Sequence, residues 1–101
     1  MTRVAAVVVT YQPGDSTHDA LRALALQATV LVVDNGSSIK QLAAIRSKCP
    51  PGIEWIELGT NRGVGAAHNA GIARARALGA THVLLMDQDS VPEPDMVERL
   101  L

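Results

Sequence analysis

The sequence has very few aromatic residues. It contains no phenylalanine, and Trp55 and Tyr11 are its only tryptophan and tyrosine. Hydrophobic residues still make up 48% of the chain, so its core has to be built from Val, Leu, Ile and Ala. Side chains of this size suit thin strands covered by Ala-rich helices. The composition therefore predicts an α/β fold.

Cysteine, long apolar segments and basic clusters are also scarce. Cys49 is the single cysteine, which excludes an internal disulfide and favours a structural thiol in a reducing compartment. No apolar stretch approaches the roughly 20 residues needed to span a bilayer, and no signal-peptide cleavage pattern follows the first apolar run. The formal charge is -1 with no basic block, which disfavours nucleic acid as a partner. We expect one soluble domain, residues 1–101.

Four apolar runs alternate with helical patterns along the chain. The predicted strands cover residues 4–10, 30–34, 53–58 and 83–86. Predicted helices cover residues 16–27 and 38–49, a third precedes Gly79, and a fourth begins near Asp95. The third predicted strand holds Trp55 between acids and is expected at an edge of the sheet.

Local patterns specify three of these helices further. Ser16 with Asp19, and Ser38 with Gln41, match the spacing of capping boxes at the starts of the first two helices. In the third helix, small residues recur every three or four positions and predict the face that packs on the sheet. These residues are Ala66, Ala70, Ala73 and Ala77.

The alternation of strands and helices predicts a Rossmann-like, doubly wound parallel sheet with helices on both faces. The expected strand order is 3-2-1-4. Ligands in such sheets bind beyond the carboxyl ends of the strands. The unusual sequences of this chain all lie there: 10–13, 34–37, 61–63 and 87–89. We therefore expect these four loops to form one site.

Asp87 and Asp89 end the apolar run that forms the fourth predicted strand, which is expected to be buried. Two carboxylates one residue apart repel each other least with a cation between them. Oxygen ligands favour Mg²⁺ or Mn²⁺, which also take ligands from substrate phosphates. The alternative is that both acids hydrogen-bond nearby backbone N–H groups and only shape a turn.

The other loops contain groups that suit a nucleotide. Asp34 can accept a hydrogen bond from a ring N–H of a base, with Gly36 allowing the ligand to approach, although an Asx turn explains the same residues. Asn61 and Gly63 precede a helix N-terminus, which favours phosphate. His68, one turn into that helix, can donate to a diphosphate or lie solvated at the surface. The third glycine of a dinucleotide fingerprint is missing, which disfavours a Rossmann dehydrogenase.

Together, these segments resemble a known family. The sequences of residues 7–13, 33–37, 61–71 and 86–90 are similar to the nucleotide-sugar-binding half of family 2 glycosyltransferases of the GT-A fold. Asp87-Gln88-Asp89-Ser90 most resembles the rhamnosyltransferase branch. The resemblance implies that Thr10, Tyr11 and Asp34 hold the base, Asp87 the ribose region, and Asp89 a metal that bridges to the diphosphate. The whole expected nucleotide-sugar site is Thr10, Tyr11, Asp34, Asn61, Gly63, His68, Asp87 and Gln88.

The resemblance also implies an activity and partners. The expected parent enzyme transfers a sugar with inversion, from a donor such as dTDP-rhamnose to a cell-surface polysaccharide or a lipid-linked acceptor. It is expected in the cytoplasm, at the inner face of the membrane. Inversion requires a base on the acceptor hydroxyl. The family has this base in an acceptor-binding half that the 101 residues do not include, so we expect no catalytic residue and no transferase activity in this chain alone.

Two other functions remain open at this point. A strand followed by Asp87-Gln88-Asp89-Ser90 is also similar to the nucleophile motif of metal-dependent phosphatases. A non-catalytic regulatory module resembling a response-regulator receiver would also place acids at strand ends. Both classes normally have these acids after the first strand, whereas here that strand ends in Thr10-Tyr11.

Overall fold

The computed structural model of this chain describes residues 2–101 and contains a parallel sheet flanked by helices. The elements are β1 (Val4–Thr10), α1 (Thr17–Ala25), β2 (Thr29–Asp34), α2 (Ile39–Lys48), β3 (Glu54–Glu57), α3 (Val64–Ala77), β4 (His82–Met86) and α4 (Met96–Leu100). The strands lie in the order β3-β2-β1-β4, and all three pairs are parallel. The predicted fold class and strand order are confirmed.

The core lies on both faces of β1 and β2, because successive side chains of a strand point to opposite faces. On one face, Ala6 packs in a cluster with Leu21 of α1 and Ile45 of α2. On the other face, Val7 packs in a cluster with Ala67 of α3. The predicted arrangement of helices on both faces is confirmed.

The face of α3 that packs on the sheet differs from the prediction. The buried residues are Ala67, Gly71 and Ala75, whereas three of the four predicted alanines are exposed and Ala70 is partly buried. The buried face of α3 is rotated from the predicted face by about one residue, or roughly 100°. Gly71 explains the difference, because a Cβ there would collide with Val7 and contact Val33. The missing side chain lets the helix approach β1 and β2 closely.

Only one of the two predicted N-caps forms, and neither predicted capping box is complete: the Gln41 side chain accepts from the Ser38 hydroxyl at 3.1 Å rather than from the Ser38 backbone N–H. Ser38 caps α2, since its hydroxyl accepts a hydrogen bond from the Gln41 N–H at 3.1 Å. Ser16 precedes α1 but has helical backbone angles and makes no side-chain cap, so the predicted pairing with Asp19 is wrong. An N-cap residue normally has extended angles that turn its oxygen toward the first N–H groups. The Ser16 hydroxyl donates instead to Asp89 at 3.2 Å. The helix also ends at Ala25 rather than near Gln27.

The two edge strands are partly exposed. The prediction that β3 is an edge strand is confirmed, and its Glu54 forms an ion pair with Arg74 of α3 at 2.7 Å. That hydrogen-bonded guanidinium holds the pKa of the Glu54 carboxyl below its usual value. The prediction that β4 is buried is wrong on one face. Val83 and Leu85 are 37% and 44% exposed, because α3 lies over β1 and β2 and leaves this side of β4 uncovered.

Two further predictions concern Cys49 and the membrane. Cys49 is partly buried and packs against the cluster beneath α1 and α2. Burial raises the pKa of its thiol, and nearby Arg22 only opposes that rise, as in a structural cysteine. Among residues 2–101, none of the helices combines the length and the apolar character that crossing a bilayer requires.

We expect Gly71→Ala to lower the free energy of unfolding by about 1–3 kcal/mol, the usual cost of overpacking a core. The new methyl group would collide with Val7, and a β-branched side chain has little freedom to move away. Gly65→Ala in the same helix is the matched control, because nothing lies within 4 Å of its Cβ position. It should be neutral or stabilising by less than about 1 kcal/mol. Urea unfolding followed by Trp55 fluorescence measures both; equal effects would contradict the packing described for α3.

We expect the 101-residue chain to self-associate through β4. Within residues 2–101, no strand pairs with the outer side of β4, and an apolar unpaired edge recruits another chain. Val83→Lys should shift the equilibrium toward monomer, because a charged side chain discourages edge-to-edge pairing. Sedimentation equilibrium over a range of concentrations tests this, and a monomeric wild-type chain at high concentration would refute it.

Candidate functional site

The four predicted loops do meet at one edge of the sheet, where they enclose an open cleft of about 720 Å³. It is bounded by the ends of β1 and β4 and by the first turn of α3. The cleft is lined by Val9, Tyr11, Asn35, Asn61, Gly63, Val64, His68, Leu85, Met86, Asp87, Gln88 and Asp89. Most of the predicted site is therefore assembled in one place.

Thr10 and Asp34 are the predicted site residues that do not line this cleft. Both are buried, with exposed fractions of 0% and 2%. The Asp34 carboxylate accepts from the hydroxyls of Thr10 and Ser37 at 2.7 and 2.6 Å, and from the N–H groups of Gly36 and Ser37 at 3.3 and 2.9 Å. The two N–H contacts are those of the Asx turn that the sequence offered as the alternative. Asp34 thus organises the turn after β2, and its predicted contact with a base stays a prediction.

Gly36 has a structural use within the fold. Its φ is +98°, and a Cβ there would lie 2.7 Å from the Asn61 backbone nitrogen. The loop after β3 therefore makes a close approach that this glycine permits, and the predicted approach of a ligand stays a prediction.

Asn35 joins the same two loops through its side chain. Its Nδ2 donates to the Asn61 Oδ1 at 3.1 Å, and its Oδ1 accepts from the Arg62 N–H at 2.9 Å. The Asn61 Oδ1 also accepts from the Gly63 N–H at 2.9 Å. Asn61 therefore lines the cleft with its carbonyl oxygen already bonded inside the protein.

Gln88 connects the loops after β4 and β1. Its Oε1 accepts from the Tyr11 N–H at 2.9 Å, and its Nε2 donates to the Tyr11 carbonyl at 3.2 Å. The next N–H along the chain, that of Gln12, donates to the Ser37 Oγ at 2.8 Å. The predicted site residue Gln88 is thus in the cleft wall, where both polar atoms of its amide bond to protein.

Asp87 and Asp89 remain available to a ligand. Both are exposed and line the cleft. Within residues 2–101, neither has an ion-pair partner, and the turn is closed by the Asp87 backbone carbonyl and the Ser90 N–H rather than by a carboxylate. Among the described residues, the Ser16 hydroxyl alone donates to Asp89. These contacts do not fit the alternative in which both carboxylates bond to nearby backbone N–H groups and only shape a turn.

Asp87 and Asp89 suit a cation whose remaining ligands are water and substrate phosphate. In the part of the chain that the structure describes, no three His, Cys, Asp or Glu side chains converge as a complete metal site. Mg²⁺ and Mn²⁺ are commonly held by one or two carboxylates, with water and substrate phosphate completing the coordination. Two exposed carboxylates in an open cleft, of which Asp89 accepts from the Ser16 hydroxyl, still have free oxygens and are a suitable donor set for that mode of binding.

The first turn of α3 forms another part of the cleft wall. Gly63 and Val64 line the cleft there, and Gly63 has a φ of +85°. The first N–H groups of a helix lack intrahelical acceptors and attract anions. His68 lines the cleft one turn further on and is partly buried. This part of the wall can therefore meet a phosphate group in the same cleft as the acids.

Sequence reasoning missed the supporting role of several residues. Ser16, Asn35 and Ser37 hold the loops in place, a role that their local sequence patterns do not indicate. The acid followed by Asn35-Gly36-Ser37 at a strand end signals the Asx turn, but not the bonds that Asn35 and Ser37 make to other loops. Nothing in the sequence signals the bond between Ser16 and Asp89, which are 73 positions apart.

Residues 5–101 match the family described as Glycosyl transferase family 2. The chain is 31% identical over 99 residues to the succinoglycan biosynthesis protein ExoO of Rhizobium meliloti (strain 1021), a match that covers 94% of this chain and 28% of that protein. The chain thus spans less than a third of the length of this curated relative. No solved structure matches the chain significantly.

We expect Asp34→Ala to lower the free energy of unfolding by about 1–3 kcal/mol, because buried donors lose their acceptor. Asp34→Asn should cost less: its carbonyl can still accept from the Gly36 and Ser37 N–H groups, and the Thr10 and Ser37 hydroxyls can rotate to accept from its NH₂ group. Urea unfolding of both variants provides the measurement. An alanine variant as stable as the asparagine variant would contradict the described network.

Proposed function

Because this chain belongs to glycosyl transferase family 2, we propose that its cleft binds a nucleoside diphosphate sugar together with Mg²⁺ or Mn²⁺. The chain would form the donor-binding part of an inverting glycosyltransferase. The observation that supports this most directly is the pair of exposed, unpaired acids Asp87 and Asp89 in the same cleft as Tyr11 and the first turn of α3.

The charges in the cleft make a cation necessary for this function. A diphosphate is itself negative and would be repelled by both carboxylates if nothing lay between them. Asp89, with Asp87 beside it, would hold the cation, and the first turn of α3 and His68 would meet the phosphates in the same cleft. When bound, the cation supplies Lewis-acid neutralisation of the charge on the departing diphosphate.

The nucleoside is assigned to the β1 end of the cleft. Tyr11 is 43% exposed, and its ring offers a flat apolar surface for a base or ribose. Thr10, which directly precedes Tyr11 in the chain, and Asp34, at the end of β2, are buried and bond to each other. We propose that both residues mainly fix the turn that carries Tyr11. Asp34 would accept a hydrogen bond from a base N–H after losing one of its hydrogen bonds within the protein.

The sugar and the acceptor are proposed on similarity. Asp87-Gln88-Asp89-Ser90 resembles the rhamnosyltransferase branch, which supports dTDP-rhamnose as the donor. The relative named for succinoglycan biosynthesis supports a polysaccharide or its lipid-linked precursor as the acceptor. The phosphatase and receiver alternatives are weaker, because both normally have an acid after the first strand and β1 ends at Thr10.

We expect Asp89→Asn to remove most of the Mn²⁺ dependence of nucleoside diphosphate binding, because a neutral amide is a poor ligand for a hard cation. The loss should be about 1–3 kcal/mol, which is the usual range for a bond to a charged group. Calorimetric titration of dTDP and UDP, with Mn²⁺ and with a chelator, measures it.

Asp95→Asn is the matched control, since it makes the same charge change at an exposed residue outside the cleft that has no side-chain cap bond. It should leave binding and its Mn²⁺ dependence unchanged. If the folded wild-type chain binds neither nucleotide at millimolar concentration under either condition, the proposed function of this chain is wrong.

A further inference from the structure

We propose that Gln88 is a positioning residue that links the two halves of the cleft, so that a cation at the acids and a nucleoside beside Tyr11 favour each other's binding. The inference rests on the proposed function. It assigns Gln88 no contact with the ligand. Its role would be to hold the acids and Tyr11 in one fixed relation.

The amide of Gln88 takes the place of a strand partner. The ladder between β1 and β4 ends where Val8 pairs with Met86. Beyond that point the backbone of β4 no longer follows β1. The Gln88 side chain then bonds to both the N–H and the carbonyl of Tyr11, as the opposite residue does in a hydrogen-bonded pair of an antiparallel sheet. The Gln88 side chain thereby extends the contact between β1 and β4 into the loops that line the cleft.

The peptide group between Tyr11 and Gln12 is held from two sides. Its carbonyl oxygen accepts from the Gln88 Nε2 at 3.2 Å, and its N–H donates to the Ser37 Oγ at 2.8 Å. Gln12 has a φ of +46°, a conformation that is uncommon for a residue other than glycine. Such a conformation persists when the surroundings fix it. These two bonds therefore hold in place the backbone from which the Tyr11 ring projects.

The same side chain limits the movement of the acids. Gln88 stands between Asp87 and Asp89, within the short turn after β4. Anchoring the middle residue to β1 leaves its two neighbours exposed in the cleft, and the Ser16 hydroxyl adds a second anchor on Asp89. A ligand that orders the acids therefore also orders Tyr11. A second ligand then loses less conformational entropy on binding, which is positive coupling.

The chain supplies a reporter for this coupling, because Tyr11 is its only tyrosine. Labelling with 3-fluorotyrosine gives one ¹⁹F NMR signal from the cleft. Without any ligand, Gln88→Met should shift or broaden that signal, since methionine keeps the length of the side chain and removes both hydrogen bonds. Gln41→Met is the matched control, because Gln41 lies on α2 outside the cleft, and it should leave the signal unchanged.

Titration with Mg²⁺ then tests the link itself. In the wild-type chain, Mg²⁺ alone should shift the Tyr11 signal. In Gln88→Met, the shift at saturation should be at least about fivefold smaller, while Mg²⁺ still binds by calorimetry. The ratio of dTDP affinities with and without Mg²⁺ should fall by about fivefold, the lower end of typical coupling between sites. An unchanged ratio and an unchanged shift would overturn the role of Gln88, because direct attraction between cation and diphosphate does not need that side chain.

The outcomes separate this inference from the proposed function. Failure of the wild-type chain to bind Mg²⁺ and dTDP refutes the function. If the wild-type chain binds both ligands and Gln88→Met keeps the full coupling between them, only the positioning role is refuted.

Far-UV circular dichroism and Trp55 fluorescence check folding. If Gln88→Met does not fold, Gln88→Glu is used; it keeps an acceptor for the Tyr11 N–H but cannot donate to the Tyr11 carbonyl when ionised, and it should lose the coupling as well.

Discussion

The buried carboxylate of Asp34 is the interaction on which the binding edge of this protein depends. A charge with 2% of its surface exposed is tolerated in a core only when its oxygens are fully hydrogen-bonded. Four donors from the ends of β1 and β2 meet this requirement. Hydrogen bonding to the Asp34 carboxylate therefore fixes the start of the loops that follow β1 and β2. Because Tyr11 directly follows Thr10, its position depends on the first of these loops.

From Asp34, hydrogen bonds continue in both directions along the edge of the sheet. Toward β3, Asn35 joins Asn61 and the start of α3; toward β4, Ser37 holds Gln12 and Gln88 holds Tyr11. The network reaches α1 through Ser16 and Asp89. Most of its members are bonded to other protein groups. Asp87 and Asp89 stand out because they keep acceptor capacity for something that binds in the cleft.

The core explains why these loops are held so firmly. β1 and β2 lie in the middle of the sheet and are covered on both faces, by α1 and α2 on one side and by α3 on the other. Gly71 brings α3 close to both strands. A site built on rigid, buried strands keeps its geometry better than one on free loops. Membership of glycosyl transferase family 2 identifies the scaffold, while the chemistry depends on the side chains at its edge.

The sequence by itself determined the α/β class, the bounds of β1, the cap at Ser38 and the ends of the strands at which the loops meet. Each of these depends on neighbours a few positions apart, so local patterns specify them. Only the tertiary structure decided that Ser16 bonds to Asp89, that α3 packs through Gly71, that one face of β4 is exposed, and that Gln88 holds Tyr11. These contacts join segments tens of residues apart. Which partner a polar or small side chain finds there depends on how the helices and strands pack, and no local pattern encodes that.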